Sequence, residues 1–167
     1  MSTQSQKYVG AGVILVTQGQ GQAEEPRVLL LLGRTSGVWS FSKGHPEETD
    51  RGSPLRTAVR ETEEETGYIV GQDYHIMGDS LRFGKRPYWV GIMQDDVAPV
   101  KLARAEHSAA GWFTAAEAAA LNTNTDVRAW IKKSTGTMNG WTRLMDVIAS
   151  LPSTRPTRSF SPAYSAS

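Results

Sequence analysis

Residues 60–68 read Arg-Glu-Thr-Glu-Glu-Glu-Thr-Gly-Tyr, and this stretch constrains the chain more than any other. On a helix, Glu61, Glu64 and Glu65 are spaced i, i+3 and i+4, so their carboxylates share one face. Like charges at this spacing destabilise an isolated helix by about 0.2–0.5 kcal/mol per pair. A bound cation would offset that repulsion, and closely spaced oxygen ligands suit Mg²⁺ or Mn²⁺. The pattern therefore indicates a metal-binding helix.

Helix-capping residues frame this acidic segment. Ser53 is a favoured N-cap, and Pro54 suits the first helical position. Gly67 suits the left-handed residue that ends a helix, so the signals predict a helix from Pro54 to Thr66. An acidic run is more often a solvated face than a metal site, and the residues before the helix have to decide between the two interpretations.

A glycine-containing loop leads into the predicted helix. Residues 39–45 read Trp-Ser-Phe-Ser-Lys-Gly-His, and a polar stretch follows them up to Ser53. A glycine lets the backbone approach a metal-bound pyrophosphate closely, while the helix supplies negative charge. The combination favours a metal site that acts on a diphosphate.

Together these residues resemble the signature of the Nudix hydrolase family, Gly-x5-Glu-x7-Arg-Glu-(apolar)-x-Glu-Glu-x-Gly-(apolar). The second half is matched by Arg60, Glu61, Glu64, Glu65, Gly67 and Tyr68. Thr62 stands at a position that is usually apolar. The resemblance implies an α/β fold, a Nudix-type α/β/α sandwich around a mixed β-sheet. It also implies hydrolysis of a pyrophosphate linkage with Mg²⁺ (or Mn²⁺) as the cofactor.

The first half of the signature departs from the family pattern. The span from Gly44 to Arg60 is two residues longer than the family spacing. Counting forward from Gly44 places the loop glutamate at Asp50, whereas counting back from Arg60 places it at Gly52. The candidates for this carboxylate are Glu47, Glu48 and Asp50, of which Glu47 and Glu48 are favoured.

The resemblance assigns roles to individual residues. The implied metal ligands are Gly44, Glu61, Glu64 and Glu65. Arg60 lies one helical turn before Glu64 and can hold that carboxylate by a hydrogen bond. The general base is either a helix residue, Glu64 or Glu65, or Glu106 on a later loop. Glu106 and His107 precede Trp112 at a spacing that resembles diadenosine tetraphosphate hydrolases.

The candidates for binding substrate are Lys43, Lys85, Arg86 and Tyr88. Lys43 directly precedes Gly44 and can contact a phosphate as a compact charge. Lys85 and Arg86 fall at a predicted hairpin turn. Tyr88 and Trp89 alternate on the strand that follows, so one should face the core and the other a cleft. Phe83 and Tyr88 are the candidates for stacking on a nucleobase, although an aromatic residue on a strand more often packs in the core.

Composition excludes several classes of protein. The chain has 167 residues, a formal net charge of +1 and no cysteine, so a disulfide framework, Cys-ligated zinc and thiol catalysis are excluded. The N-terminal residues are polar, and the longest apolar run, residues 28–32, is far too short to span a membrane. We expect a cytoplasmic protein, with the nucleus as the alternative, no membrane association, and an undefined oligomeric state.

The order of predicted elements suits a single domain over residues 1–151, followed by a disordered Ser/Pro-rich tail over residues 152–167. Strands are predicted at residues 8–17, 27–32, 39–41, 74–83, 88–93 and 110–113. A capping box at residues 114–117 opens a further helix, and residues 126–133 and 141–151 are predicted to be helical.

Two substrate classes remain open. The Lys-Gly-His and Glu-His-x4-Trp stretches favour a dinucleoside polyphosphate, whereas residues 39–44 are also similar to messenger-RNA decapping and diphosphoinositol polyphosphate Nudix enzymes. A small nucleotide or other diphosphate is preferred over an RNA cap, because few basic residues after the signature could bind an RNA chain. They are Lys132, Lys133, Arg143 and the tail residues Arg155 and Arg158. A different class, a Nudix-fold module that binds a nucleotide without cleaving it, draws support only from the displaced loop glutamate.

Overall fold

A computed structural model describes residues 8–17, 25–135 and 165–166, and all structural statements concern this part of the chain. An eight-stranded sheet forms the centre of the molecule. The strands are β1 (Ala11–Thr17), β2 (Arg27–Gly33), β3 (Trp39–Ser40), β4 (Ser42–Gly44), β5 (Tyr74–Phe83), β6 (Arg86–Met93), β7 (His107–Phe113) and β8 (Ser165–Ala166). The helices are α1 (Pro54–Thr66), α2 (Ala115–Ala119) and α3 (Thr125–Thr135), and a 3₁₀ turn spans Glu48–Asp50.

The sheet is mixed, as the sequence predicted. Its strand order is β5-β6-β1-β2-β7-β8, with β3 paired to β2 and β4 paired to β1. β1 and β6 run parallel, and the other strand pairs are antiparallel. Because β4 pairs with the beginning of β1, the loop that follows Gly44 starts beside the parallel pair at the centre of the sheet.

Both faces of the sheet are covered. Along β1, Ile14 packs with the apolar cluster that contains Trp130 of α3, whereas Val13 packs with the cluster that contains Ala58 of α1. The central strands are therefore apolar on both faces, which is why β1 and β2 read as continuous hydrophobic runs. The helices on opposite faces confirm the α/β/α arrangement.

The bounds of α1 agree with the sequence prediction. The Ser53 side chain accepts a hydrogen bond from the Arg56 backbone N–H at 3.3 Å. At the other end Gly67 takes φ 79°, and its N–H donates to the Glu63 carbonyl. Local capping chemistry thus fixes where this helix starts and stops.

Some expectations lie partly or wholly outside the described residues. The helix predicted at residues 141–151 falls there, as does most of the tail predicted to be disordered. Within that tail, the described Ser165–Ala166 pairs with β7, and the disorder of the remaining residues stays a prediction. In the part of the chain that is described, no helix combines the length and apolar content needed to cross a membrane.

Candidate active site

Arg60 organises the loop and the helix into one polar network. Its Nε and Nη2 donate to the two carboxylate oxygens of Asp50, each at 2.9 Å. Nη2 also donates to the His45 carbonyl at 2.9 Å. The Asp50 side chain is 2% exposed and accepts further hydrogen bonds from the Thr57 hydroxyl and the Glu47 N–H. This bidentate pair ties the loop to the middle of α1.

Of the three loop carboxylates, Asp50 makes the closest contact with Arg60. The Glu47 side chain is 57% exposed and lies 3.4 Å from Arg60, and Glu48 is exposed. Asp50 is the residue reached by counting forward from Gly44, and the choice of the carboxylate that replaces the family's loop glutamate stays a prediction. On that count the two extra residues come after Asp50, where Arg51 and Gly52 take left-handed φ angles of 51° and 72° and turn the chain towards the helix.

One group of carboxylates surrounds the same guanidinium. Arg60 Nη1 donates to Glu61 at 3.0 Å and to Glu64 at 3.1 Å. Oxygen atoms of Glu47, Glu61 and Glu64 lie within 4.8 Å of one another. Arg60 therefore fixes the side-chain orientation of two of the predicted ligands. The hydrogen bond expected between Arg60 and Glu64 is present.

Gly44 leaves room for the Glu61 carboxylate. A Cβ atom on Gly44 would lie 2.0 Å from Glu61 Cδ. Because the contact is with the end of a flexible side chain, the fold can tolerate a methyl group here, but the carboxylate then has to move. A glycine at this position thus serves the geometry of the site and not only the path of the loop.

Substitution Gly44→Ala is expected to lower kcat/KM by about 10- to 100-fold, the range found when ligand orientation is disturbed. The melting temperature should change little, since only the Glu61 side chain is displaced. Steady-state kinetics with a titration of Mg²⁺ would test this. An unchanged Mg²⁺ requirement together with full activity would contradict the assigned role of Gly44.

A second group joins the helix to the loop before β7. His107 Nε2 lies 3.0 Å from a Glu65 oxygen, and Glu106 belongs to the same group, whose donor atoms lie within 4.8 Å of one another. The loop is held against the end of α1 because the Ala103 N–H donates to the Glu65 carbonyl at 3.1 Å, and the Lys101 N–H donates to the next carbonyl along. Glu106, predicted from a separate motif, is therefore brought to Glu65.

Burial raises the pKa of Glu65, while His107 and Lys43 act in the opposite direction. Burial also raises the pKa of Glu61, and the hydrogen bond from Arg60 opposes that shift. Without a cation, the folded protein thus disfavours the charged form of both carboxylates. A cation placed between them would favour the charged forms.

The donor chemistry fits a divalent cation. Carboxylate oxygens from Glu47, Glu61 and Glu64 form a set of hard ligands, of the kind that Mg²⁺ and Mn²⁺ prefer. The second group adds carboxylates from Glu65 and Glu106 and one imidazole. The space beside Gly44 that a Cβ would fill is occupied by Glu61, so the site is shaped around this carboxylate.

The predicted substrate-binding residues lie in different environments. Lys43 is half-buried and lies close enough to lower the pKa of Glu65 by its charge. Lys85 is exposed at the turn between β5 and β6. Arg86 donates to Asp126 at 3.0 Å, so part of its guanidinium is already engaged by a buried carboxylate.

Tyr88 is not placed to stack on a base. Its side chain is fully buried, its ring packs edge-on against Phe41 at 5.3 Å, and its hydroxyl donates to Asp126. Burial raises the pKa of this phenol. The alternation of the strand was predicted correctly, but the inward position belongs to Tyr88 and the cleft position to the half-buried Trp89.

Thr62, the departure from an apolar position, is accommodated by hydrogen bonds. It is fully buried, accepts from the Ser42 hydroxyl at 3.1 Å and donates to the Ala58 carbonyl at 2.8 Å. A buried hydroxyl whose hydrogen bonds are satisfied in this way costs little stability.

A comparison with protein families matches residues 6–133 of the chain to the family described as the NUDIX domain.

The chain belongs to the Nudix family. It is thus a Nudix pyrophosphohydrolase. Two similar proteins are asymmetrical bis(5'-nucleosyl)-tetraphosphatases. That of Sus scrofa is 34% identical over 114 residues, which cover 62% of this chain and 76% of the relative. That of Rattus norvegicus is 32% identical over 116 residues, with the same coverage of 62% and 76%.

Solved Nudix structures share the fold. The binary complex of an Ap4A hydrolase from C. elegans has a TM-score of 0.60 at 21% identity, covering 74% of this chain and 93% of that one. The hydrolase RenU from M. smegmatis has a TM-score of 0.60 at 19% identity, covering 90% and 91%. At these identities the likeness supports the architecture alone.

Sequence reasoning missed two features of this Nudix site. Asp126, on α3, accepts hydrogen bonds from Arg86 and from the Tyr88 hydroxyl. It was not predicted, because nothing in its local sequence indicates that it is buried. His107 was given little weight, although it pairs with Glu65. Its position next to Glu106 in the motif was the signal that could have found it.

Proposed function

We propose that this protein hydrolyses dinucleoside polyphosphates in a Mg²⁺-dependent reaction, and that it cleaves diadenosine tetraphosphate to ATP and AMP. The observation that carries the proposal is the contact between the loop bearing Glu106 and His107 and the buried Glu65 of α1. Membership of the Nudix family and the names of the relatives from Sus scrofa and Rattus norvegicus support the same substrate class.

In this proposal each residue has a defined task. A divalent cation at the carboxylates would neutralise charge on the diphosphate and lower the pKa of a bound water. Arg60 keeps Glu61 and Glu64 oriented through its Nη1. Lys43 contacts a phosphate oxygen in this proposal, which is supported by the effect of its charge on the pKa of Glu65.

The bond changes follow from an attack at an off-centre phosphorus. The oxygen of a water molecule forms a bond to phosphorus, and the bridging P–O bond on the far side breaks to release the longer nucleotide. The attacking water loses its proton to a carboxylate. We assign that role to Glu106, because its side chain is exposed and belongs to the second group of ligands, beside Glu65 and His107.

The competing interpretations have less support. A capped substrate carries an RNA chain, which is a polyanion and requires a series of basic residues to bind it. In the last turn of α3, the described basic residues are Lys132 and Lys133. Arg143 lies outside the described residues. A module without activity was suggested only by the displaced loop carboxylate, and Asp50 supplies that carboxylate to Arg60.

A comparison of kcat/KM on diadenosine tetraphosphate, capped RNA, diphosphoinositol polyphosphate and nucleotide sugars would test the substrate. We expect diadenosine tetraphosphate to be preferred by tenfold or more, equivalent to about 1.4 kcal/mol in transition-state binding, with activity lost in EDTA and restored by Mg²⁺. A preference of the same size for capped RNA would transfer the function to the decapping class. No Mg²⁺-dependent release from any substrate would favour the binding module.

A further inference from the structure

A large open cleft lies beside the carboxylate groups and contains none of them. Its volume is about 1000 Å³. Three segments form its walls: Tyr8 and Val9 before β1, residues 52–55 at the start of α1, and the hairpin of β5 and β6. The cleft is thus built from parts of the molecule that the proposed reaction does not use, apart from Lys85.

Its apolar wall is aromatic. Trp89 is half-buried, packs with the cluster under α1 and lines the cleft together with Pro87. Tyr8 lines the same space, and its hydroxyl lies 2.5 Å from that of Thr57, which fixes the position of the ring. Flat aromatic groups at the edge of an open cleft are suited to stacking with a nucleobase.

Its remaining wall is cationic. Arg82 and Lys85 line the cleft at the tip of the hairpin, and Arg82 Nη1 donates to the Lys85 carbonyl at 3.3 Å. Among the described residues that line the cleft there is no Asp or Glu. Aromatic and cationic groups without acidic neighbours match a ligand that combines a base with phosphate.

The loop residue His45 contacts both the wall of the cleft and the reaction site. The His45 ring nitrogen Nδ1 lies 3.1 Å from the carbonyl of Val9, which lines the cleft, and the His45 carbonyl accepts from Arg60. His45 therefore links Val9, in the wall of the cleft, to the guanidinium that holds Glu61. From Leu55 to Glu61 the helix rises about 9 Å, a span that a polyphosphate chain can bridge.

The residues that lengthen the family spacing border this cleft. They follow Asp50, and Gly52 and the N-cap Ser53 line the space. The left-handed turn at Arg51 and Gly52 carries the chain outward before α1 begins. This insertion therefore shapes a wall of the cleft in this chain.

We propose that the cleft binds the second nucleoside of a dinucleoside polyphosphate, the one that is not held at the carboxylates. Trp89 provides the stacking surface, Arg82 and Lys85 contact the adjoining phosphate, and Gly52, next to Arg51 in the lengthened loop, forms part of the outer wall. The inference rests on the proposed function, because it assigns a place to a substrate with two nucleosides.

The test compares diadenosine tetraphosphate with adenosine 5'-tetraphosphate, which lacks the second nucleoside. The wild-type protein should prefer the dinucleoside by about tenfold or more in kcat/KM, in the range that stacking of one base supports. Trp89→Leu should remove this preference through a raised KM with kcat retained. Trp89→Phe keeps an aromatic face, so its preference for the dinucleoside in kcat/KM should stay within about threefold of that of the wild type.

A second variant covers the case in which Trp89→Leu does not fold. Deleting Arg51 and Gly52 restores the family spacing, and it should also raise KM for the dinucleoside while leaving adenosine tetraphosphate unaffected. Equal rates of wild type on both substrates, or a preference that survives the folded variants, would overturn the subsite. A wild-type protein that cleaves neither compound would instead overturn the proposed function.

Discussion

Glu65→Gln is expected to lower kcat by about a thousandfold, a loss within the range for removing a group that acts on the reacting centre. Glu65 is 4% exposed, belongs to the second group of ligands beside His107, and has a pKa that burial raises and the charge of Lys43 lowers. Glutamine keeps the shape of the side chain but lacks the charge that a cation requires. Steady-state kinetics at saturating Mg²⁺ would measure the loss.

Stability should respond in the opposite direction. Burial raises the pKa of Glu65, which means that folding disfavours its charged form, so a neutral side chain removes a cost at neutral pH. We expect the melting temperature of Glu65→Gln in EDTA to equal or exceed that of the wild type. Glu63→Gln, on the exposed side of α1, is the control and should change neither property. Near-full activity of Glu65→Gln would refute its role in the site.

Asp50→Asn is expected to destabilise the protein by about 2 kcal/mol at pH 7 and to lower kcat/KM by about tenfold. The energy is smaller than for a fully buried pair, because the Arg60 side chain is 18% exposed and retains other carboxylates. Activity falls because Arg60, released from Asp50, no longer fixes Glu61 and Glu64. Chemical denaturation and kinetics would measure the two effects.

The stability effect should depend on pH. The hydrogen bond from Arg60 holds the pKa of Asp50 well below its usual range, although burial opposes it. A depressed pKa contributes stability that is present above about pH 4, where the unfolded chain titrates, and is lost as the pH falls towards the folded value. The difference between wild type and Asp50→Asn should therefore shrink from pH 7 to pH 3.

Glu48→Gln is the matched control for this substitution, since Glu48 is exposed on the same loop. It should leave stability and activity close to those of the wild type at both pH values. A loss at Glu48→Gln comparable with that at Asp50→Asn would show that the loop carboxylate had been assigned to the wrong residue. A difference that stays constant between pH 3 and pH 7 would exclude the ion pair as its source.

Local signals predicted α1 and its carboxylates correctly. Ser53, Pro54 and Gly67 act through hydrogen bonds and backbone angles within a few residues of themselves, and the structure begins and ends the helix where they indicate. The helical repeat places Glu64, four residues after Arg60, within reach of that guanidinium by the same short-range geometry. Neither result needed knowledge of the rest of the chain.

The loop showed the limit of this reasoning. A spacing that is two residues too long does not reveal where the extra residues lie, because a loop can bulge at several points. Only the path of the chain in space showed that Asp50 reaches Arg60 and that Glu47 stays largely exposed. Counting from Gly44, which is anchored in β4, leads to Asp50, the loop carboxylate in closest contact with Arg60.

The sequence by itself thus determined the helix, its carboxylates and the alternation of β6, because each depends on local spacing. The tertiary structure alone decided which side of β6 faces the core, so that Tyr88 is buried and Trp89 lines the cleft. It also decided the pairing of Glu65 with His107, which lie far apart in the sequence. Alternation along a strand does not say which set of side chains faces the core, and a loop has no fixed path. Both are decided when distant strands and helices pack together.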